Sequence, residues 1–290
     1  MNPAAPAAHL PHQVPDQVPK EVPKEVGVLG VGALASALVR ALARVYPQLH
    51  FHLSPRGAAE SQRLHAELPS TRHTSNQAVL DAADWVIVGV RPAQLHDLGH
   101  QQAQGLRWRD GHHALVLAAG VPHARMAHWL APARCTRLMT GLAVQGGRSA
   151  LCVYPGAEAL QWLAAAGACW LPMQDEAHWE AATLAVCANA WWMEQLGQLS
   201  ERLSALSGLP LASAQVLLAA NMADVVTLLG IAPGRSPSGW ARHIGSPGTY
   251  TEAGLQALQA QGAHAAWCDT LAQVYVRLLR NPPQAAPDAP

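Results

Sequence analysis

The tightest constraint on this chain is the segment Glu25-Val-Gly-Val-Leu-Gly-Val-Gly-Ala-Leu-Ala-Ser36, where a β-branched run breaks into closely spaced glycines and then into a helix-forming stretch. Gly30 is suited to a tight turn out of a strand. Gly32 has no Cβ to hold an anion away from the backbone, and Ala35 is small enough for a helix to lie close on the strand. The pattern Gly-x-Gly-x-x-Ala is a variant of the dinucleotide fingerprint, in which N–H groups at the helix start receive a pyrophosphate. Those groups belong to Gly30, Val31, Gly32, Ala33 and Leu34. Glycine-rich turns also occur without a ligand, so the rest of the chain has to decide.

At 290 residues, half of them hydrophobic, the chain is long enough for two domains with apolar cores. Lys+Arg and Asp+Glu balance at 19 each, so no global field recruits nucleic acid or an anionic membrane. Lys20 and Lys24 are the only lysines. A body without lysine excludes Schiff-base chemistry and a phosphate-binding Walker lysine. Five scattered cysteines, Cys135, Cys152, Cys169, Cys187 and Cys268, form no Cys-x-x-Cys pair and read as reduced thiols in a cytoplasmic protein. No stretch is expected to reach the length and apolarity of a membrane span.

Residues 1–24 are rich in Ala, Pro and Gln and repeat Val-Pro at 14–15, 18–19 and 22–23, a spacing that denies helix and central strand alike, and they read as a disordered arm. Residues 282–290 read as a Pro-rich tail. Between them two patterns succeed each other. Short apolar runs at Val26–Leu29, Leu49–Leu53, Trp85–Val90, Ala114–Ala118, Thr136–Met139 and Ala150–Tyr154 alternate with helical segments, which predicts a Rossmann-like, doubly wound parallel sheet over 25–174. Long Ala/Leu-rich stretches at about 175–207, 210–230 and 249–280, separated by Gly208-Leu-Pro210 and by 231–248, predict a helical domain over 175–281. Its apolar helices lack the polar surface to be solvated all round, so a homodimer or higher oligomer through this domain is expected. A compact monomeric bundle is the alternative.

The second predicted strand ends in Phe51-His-Leu-Ser-Pro-Arg56. Where NAD-binding folds place an acidic residue for the ribose 2′-OH, this chain has a hydroxyl at Ser54 and a guanidinium at Arg56. Both suit a 2′-phosphate, and NADP(H) is the expected cofactor. Arg56 as an ordinary surface arginine is the plainer alternative.

With these elements placed, the body from Val26 to about Gly262 resembles the pyrroline-5-carboxylate reductases, which reduce a cyclic imine to proline with NAD(P)H. The glycine turn and Ser54-Pro-Arg56 are similar to that family's cofactor segments. So are Asn76, the strand Ala83-Asp-Trp-Val-Ile-Val-Gly-Val-Arg-Pro92 and Ala118-Ala-Gly-Val121, which the resemblance assigns to cofactor contacts at Asn76, Val90, Arg91, Pro92, Ala119 and Gly120. Arg137-Leu-Met139 matches the start of its Arg-x-Met-Pro-Asn-Thr-Pro segment. The most distinctive block is Ile244-Gly-Ser-Pro-Gly-Thr-Tyr-Thr-Glu-Ala-Gly-Leu-Gln-Ala-Leu258, close to the family's loop that caps the substrate from the helical domain. The resemblance implies that Thr251 bonds the imine nitrogen region. Thr249 or Thr251 as a helix N-cap is the structural alternative.

Departures fall on the implied substrate pocket, formed by Met139, Gly141, Cys187, Trp191, Ser246, Gly248, Thr249 and Tyr250. Gly141 stands at an Asn position, Cys187 at a Ser and Trp191 at a Tyr, while Thr249 and Tyr250 replace a Gly and a Thr. Hydrogen-bond partners for a small carboxylate are lost and π surface is gained. An NADPH-dependent reductase of a larger or less polar imine is the sharper expectation. A non-catalytic NADP-binding regulatory module and a reductase of some other carbonyl remain alternatives.

Fifteen histidines show no metal-ligand spacing, and no metal is expected. His50 and His52 share one face of the second strand and read as partly buried or edge histidines. His243, just before the capping loop, is a candidate proton relay. Cys187 lacks a neighbouring base and reads as a pocket wall, and Trp191-Trp192 is expected to open a helix near the cleft.

Overall fold

The computed structural model describes residues 22–100, 106–231 and 234–280. The Val-Pro arm up to residue 21 and the tail from 281 lie outside them. Two compact units divide the chain: the described residues up to Val186 together with those from Val274 form one, and Cys187–Gln273 the other.

The first unit is built on strands β1 (Glu25–Leu29), β2 (His50–Leu53), β3 (Ser70–Arg72), β4 (Trp85–Val88), β5 (His113–Val116), β6 (Arg134–Met139), β7 (Ala150–Tyr154) and β8 (Cys169–Pro172). Helices α1 (Ala33–Val45), α2 (Ala58–Glu67), α3 (Asn76–Ala82), α4 (Pro92–His100) and α5 (His123–Trp129) alternate with the first six. The sheet runs in the order β3-β2-β1-β4-β5-β6-β7-β8. Strands β1, β4 and β5 are buried along nearly their whole length, as expected of strands covered on both faces. One core gathers Val28, Leu38, Leu42, Phe51 and Trp162, the other Leu29, Val86, Val88, Leu95 and Val116. Each buried Leu or Val contributes about 1.5–3 kcal/mol. Small residues let α1 settle closely, and its buried face includes Ala35, Ala37 and Ala41.

The expected doubly wound sheet is present, with three corrections. β3 and β8 add to the expected strands, Ser-Thr-Arg and Cys-Trp-Leu-Pro being too short to show a period. β7 runs antiparallel to β6, since the connection through a 3₁₀ turn at Leu142–Gly146 is too short for a parallel crossover. β4 stops at Val88 rather than Val90, the point at which Gly89 enters the turn.

The long helices are α6 (Glu176–Ser207), α7 (Leu211–Ile231), α8 (Pro237–Ile244), α9 (Tyr250–Ala260) and α10 (Ala263–Arg280). α8 arises inside the stretch read as a separator: Ser236 caps it by accepting from Gly239 N–H, and Pro237 occupies its first turn. Trp191 and Trp192 do not open a helix. They lie midway along α6, where Trp192 stacks on Trp267 of α10 at 4.3 Å. A further correction concerns α7: Leu211–Leu229 is long and apolar enough to cross a membrane by length and composition, with mean hydropathy 1.5 and only 6% of it buried. Its scattered Gln215, Asn221 and Asp224 break up that apolarity along the sequence.

Candidate functional site

The strand order reverses between β1 and β4, so the two chain segments leaving those strands diverge and open a crevice at the carboxyl edge. Two glycine turns meet there. Gly30 has φ +81°, and a Cβ on it would lie 2.6 Å from Val90 Cγ1 and 3.0 Å from the Gly89 carbonyl carbon. On Gly89 a Cβ would lie 2.7 Å from both Ala35 Cβ and the Gly30 oxygen. The backbone approach forbids a side chain at either position, and Ala35 packs as closely as its size suggested.

Gly32 differs from both. A Cβ there would meet nothing closer than the Gly89 oxygen at 3.9 Å, so open space lies in front of it. It is also the N-cap of the 13-residue α1, with no side chain capping the helix and no acidic residue in the first turn. The uncapped N–H groups and the positive end of the helix dipole are thus offered outward, which suits an anion.

Ser54 Oγ accepts the Gly30 N–H at 3.0 Å, and the residue is fully buried. Its hydroxyl therefore braces the glycine turn against β2, with its own O–H still able to donate. Arg56 is exposed and has no hydrogen bond or ion pair among the described residues. Gly57, at φ +79°, holds the same loop against Val31, whose carbonyl oxygen would be only 2.4 Å from a Cβ there.

The other expected cofactor residues lie along the same edge. Asn76 begins α3 just after Ser75, whose hydroxyl caps the helix by accepting from Ala78 N–H. Val90 and exposed Arg91 follow β4, with the Arg91 N–H donating to Gln94 Oε1 at 3.1 Å, and Pro92 opens α4. Ala119 and Gly120, the latter at φ +69°, follow β5.

The expected substrate residues divide between the units. Met139 and Gly141 belong to the sheet unit, and Met139 is a core side chain packed with Cys152 and Trp179 rather than an open wall. Gly141 is buried at the start of the 3₁₀ turn. Nearby, the fully buried Arg137 pairs with Glu176 and Glu180 at 2.6 Å each and lies 3.5 Å over the Trp179 ring. Burial raises the Glu180 carboxyl above its ordinary range, against the opposing pull of Arg137.

Cys187, Trp191, Ser246, Gly248, Thr249 and Tyr250 belong to the helical unit. Cys187 is exposed on α6, and Trp191 meets Trp267 edge-on at 6.4 Å. Thr249 is the N-cap of α9: its hydroxyl accepts from Glu252 N–H and donates to the Ser246 carbonyl, while Glu252 Oε2 accepts from Gly248 N–H. Capping thus occupies Thr249 and leaves Thr251 exposed, its hydroxyl making no hydrogen bond among the described residues. Tyr250 is 99% exposed. His243, exposed in the last turn of α8, meets Trp240 edge-on at 5.7 Å.

Gly89, Gly57 and the Arg137 cluster escaped sequence reasoning. An isolated glycine at a strand end was the available signal for Gly89. Arg137 gave none, because its carboxylate partners lie about forty residues further on.

Fold and edge define a dinucleotide-fold domain carried with a helical unit. Residues 25–107 match the family described as NADP oxidoreductase coenzyme F420-dependent. Among solved structures the chain is similar to 1-pyrroline-5-carboxylate reductase from Streptococcus pyogenes, with 21% identity, coverage of 88% of this chain and 97% of that one, and a TM-score of 0.74. A pyrroline carboxylate reductase from Plasmodium falciparum, solved with NADP bound, gives 14% identity, 88% and 96% coverage and a TM-score of 0.70. An imine reductase from Myxococcus stipitatus in complex with NADP+ gives 18% identity, 88% and 92% coverage and a TM-score of 0.54. No curated protein sequence matches the chain. The expected resemblance to pyrroline-5-carboxylate reductases thus holds for the fold.

Proposed function

We propose that this chain is an NADPH-dependent reductase of the C=N bond of a cyclic imine, with a pocket altered from that of pyrroline-5-carboxylate reductases. The observation that carries the reading is the open space before Gly32 at an uncapped helix N-terminus, set where the strand order reverses. Those residues fit a dinucleotide. Gly30 to Leu34 would hold the pyrophosphate, the unpaired guanidinium of Arg56 the 2′-phosphate, and Val90 to Pro92 with Ala119 and Gly120 the nicotinamide end. Asn76 stands at the same edge. NADP in the Plasmodium and Myxococcus structures supports that choice of cofactor.

When bound, the nicotinamide supplies the hydride. The chain's own residues bind, orient and exclude water. Thr251, whose hydroxyl is not spent on capping, would orient the imine nitrogen or pass it a proton. Cys187, Trp191, Ser246, Gly248 and Tyr250 would shape the pocket, with Gly141 in place of a hydrogen-bonding side chain. That set favours an imine larger or less polar than pyrroline-5-carboxylate.

The working unit would be a homodimer through the helical unit, in the cytoplasm. Met193, Leu206, Val216, Val225 and Val226 are each at least 60% exposed. An apolar groove of about 350 Å³ runs between α6 and α7, lined by Met193, Leu196, Val216 and Ala219. A second copy would bury these side chains, and light scattering on the purified chain tests it, a monomer counting against it.

The deciding experiment follows NADPH oxidation with pyrroline-5-carboxylate and a panel of cyclic imines, for the chain and its Thr251→Ala variant. Turnover of at least one imine, lowered by the variant, is expected. NADPH binding with no turnover of any imine would establish a non-catalytic NADP-binding module instead, and unchanged turnover would remove Thr251 from the chemistry.

A further inference from the structure

Strands β1 and β2 place a cluster of metal-ligating side chains on one sheet face. Parallel register sets Glu25 beside His50 and Gly27 beside His52, so the alternation of side chains brings Glu25, His50 and His52 to the same face. One donor atom from each lies within 4.8 Å of the other two. His52 joins the group to β3: its Nε2 is 2.8 Å from Glu25 Oε2, and its Nδ1 is 2.9 Å from Nε2 of His73, just past that strand. The His50 and His52 rings meet edge-on at 5.1 Å, and the His52 side chain is only 12% exposed. Glu25 and His50 begin their strands, at the sheet edge opposite the glycine turn.

We propose that Glu25, His50 and His52 bind a divalent transition-metal cation of the zinc type, with His73 orienting His52. Two imidazole nitrogens and one carboxylate oxygen form a borderline donor set that suits Zn²⁺, Ni²⁺ or Cu²⁺ rather than Mg²⁺ or Ca²⁺. Bonds of about 2.0–2.2 Å put tetrahedral ligands roughly 3.3–3.5 Å apart, so the Glu25–His52 pair opens by about half an ångström, His50 closes in by up to about 1.4 Å from the 4.8 Å limit, and a water takes the fourth position. Protons balance. Without the cation, His52 Nε2–H donates to Glu25 and His73 Nε2–H donates to His52 Nδ1. With it, the His52 Nε2 lone pair goes to the metal, Nδ1–H donates to His73 Nε2, and both rings change tautomer with no net proton lost. A ligating histidine held through its second nitrogen is the usual arrangement at such sites. The bound cation would tie the amino ends of β1 and β2 together and brace the edge strand β3 through His73.

The test uses the full chain without a histidine tag, stripped with EDTA, then titrated with Zn²⁺ by calorimetry and with Co²⁺ by visible absorption. One cation per chain, a four-coordinate Co²⁺ band and a rise of several degrees in the unfolding midpoint are expected. His52→Gln and Glu25→Gln should abolish the band and weaken binding at least roughly tenfold, whereas His73→Gln should weaken it roughly 10–100-fold with the stoichiometry kept. His264→Gln, which alters an exposed histidine in α10, should change nothing. Glu25 is exposed, so its variant reports even where His52→Gln fails to fold. Equal binding by Glu25→Gln and the parent chain, or weak binding spread over many sites with no Co²⁺ band, would overturn the proposal.

Discussion

Substituting Gly32 by Ala separates a ligand's need for space from the protein's own. The backbone at Gly32, φ −95° and ψ −179°, accepts any L residue, and the nearest atom to the added methyl is 3.9 Å away. Folding stability should change little, because the lost preference for glycine over alanine at an N-cap, about 0.5–1 kcal/mol, is offset by about 0.4–1 kcal/mol from a less flexible unfolded chain. Binding should suffer, since the methyl fills the space the pyrophosphate needs to reach the N–H groups of α1. Weakening one charge-assisted hydrogen bond costs about 1.5–3 kcal/mol, roughly 10–150-fold in Kd. Gly30→Ala is the control with the opposite signature. Its left-handed φ and its 2.6 Å approach to Val90 cost about 2–5 kcal/mol of stability, a fall of roughly 5–15 °C in Tm. NADPH fluorescence titration and thermal unfolding of both variants give the answer. An unchanged NADPH Kd in a folded Gly32→Ala variant would refute the cradle.

Ser54→Ala leaves the Gly30 N–H without its partner, so it should cost about 1–3 kcal/mol of stability and weaken NADPH and NADH by the same factor, as read from Tm and the two Kd values. Arg56→Ala should weaken NADPH alone, by roughly tenfold or more, and an equal loss for NADH would show that the guanidinium does not read the 2′-phosphate. Arg137→Gln strands the buried Glu180 carboxylate and should cost about 3–5 kcal/mol in denaturant unfolding, most of it recovered when Glu180→Gln is added. Burial pushes the Cys135 thiol up to about 12 and Cys152 to about 11, so neither should react with a thiol reagent at pH 8 until the chain is unfolded, as peptide mapping of labelled protein would show.

What the sequence revealed and what it hid differ by how local each feature is. The glycine turn is legible because every requirement of it, a left-handed φ at Gly30, room at Gly32 and a small Ala35, falls within six consecutive residues. β1, β4 and β5 are legible for a related reason: burial on both faces calls for runs of apolar residues, here Val26–Leu29, Val86–Val88 and Ala114–Val116. β3 is invisible, since three residues of an edge strand need no such run and take their position from pairing with β2. Ser54 shows the limit most clearly. A hydroxyl two residues before a guanidinium at a strand end suits a phosphate, and only the fold reveals that the hydroxyl is buried and also accepts the Gly30 N–H. His50 and His52 show their shared face in the sequence, but their partners Glu25 and His73 escape for the same reason as Arg137 with Glu176 and Glu180: they come from separate elements, and no spacing along the chain encodes which strands lie side by side. Local backbone demands therefore make the cofactor edge readable. The residues proposed for the substrate, Gly141 in one unit and Cys187, Trp191 and Thr251 in the other, share no such local demand.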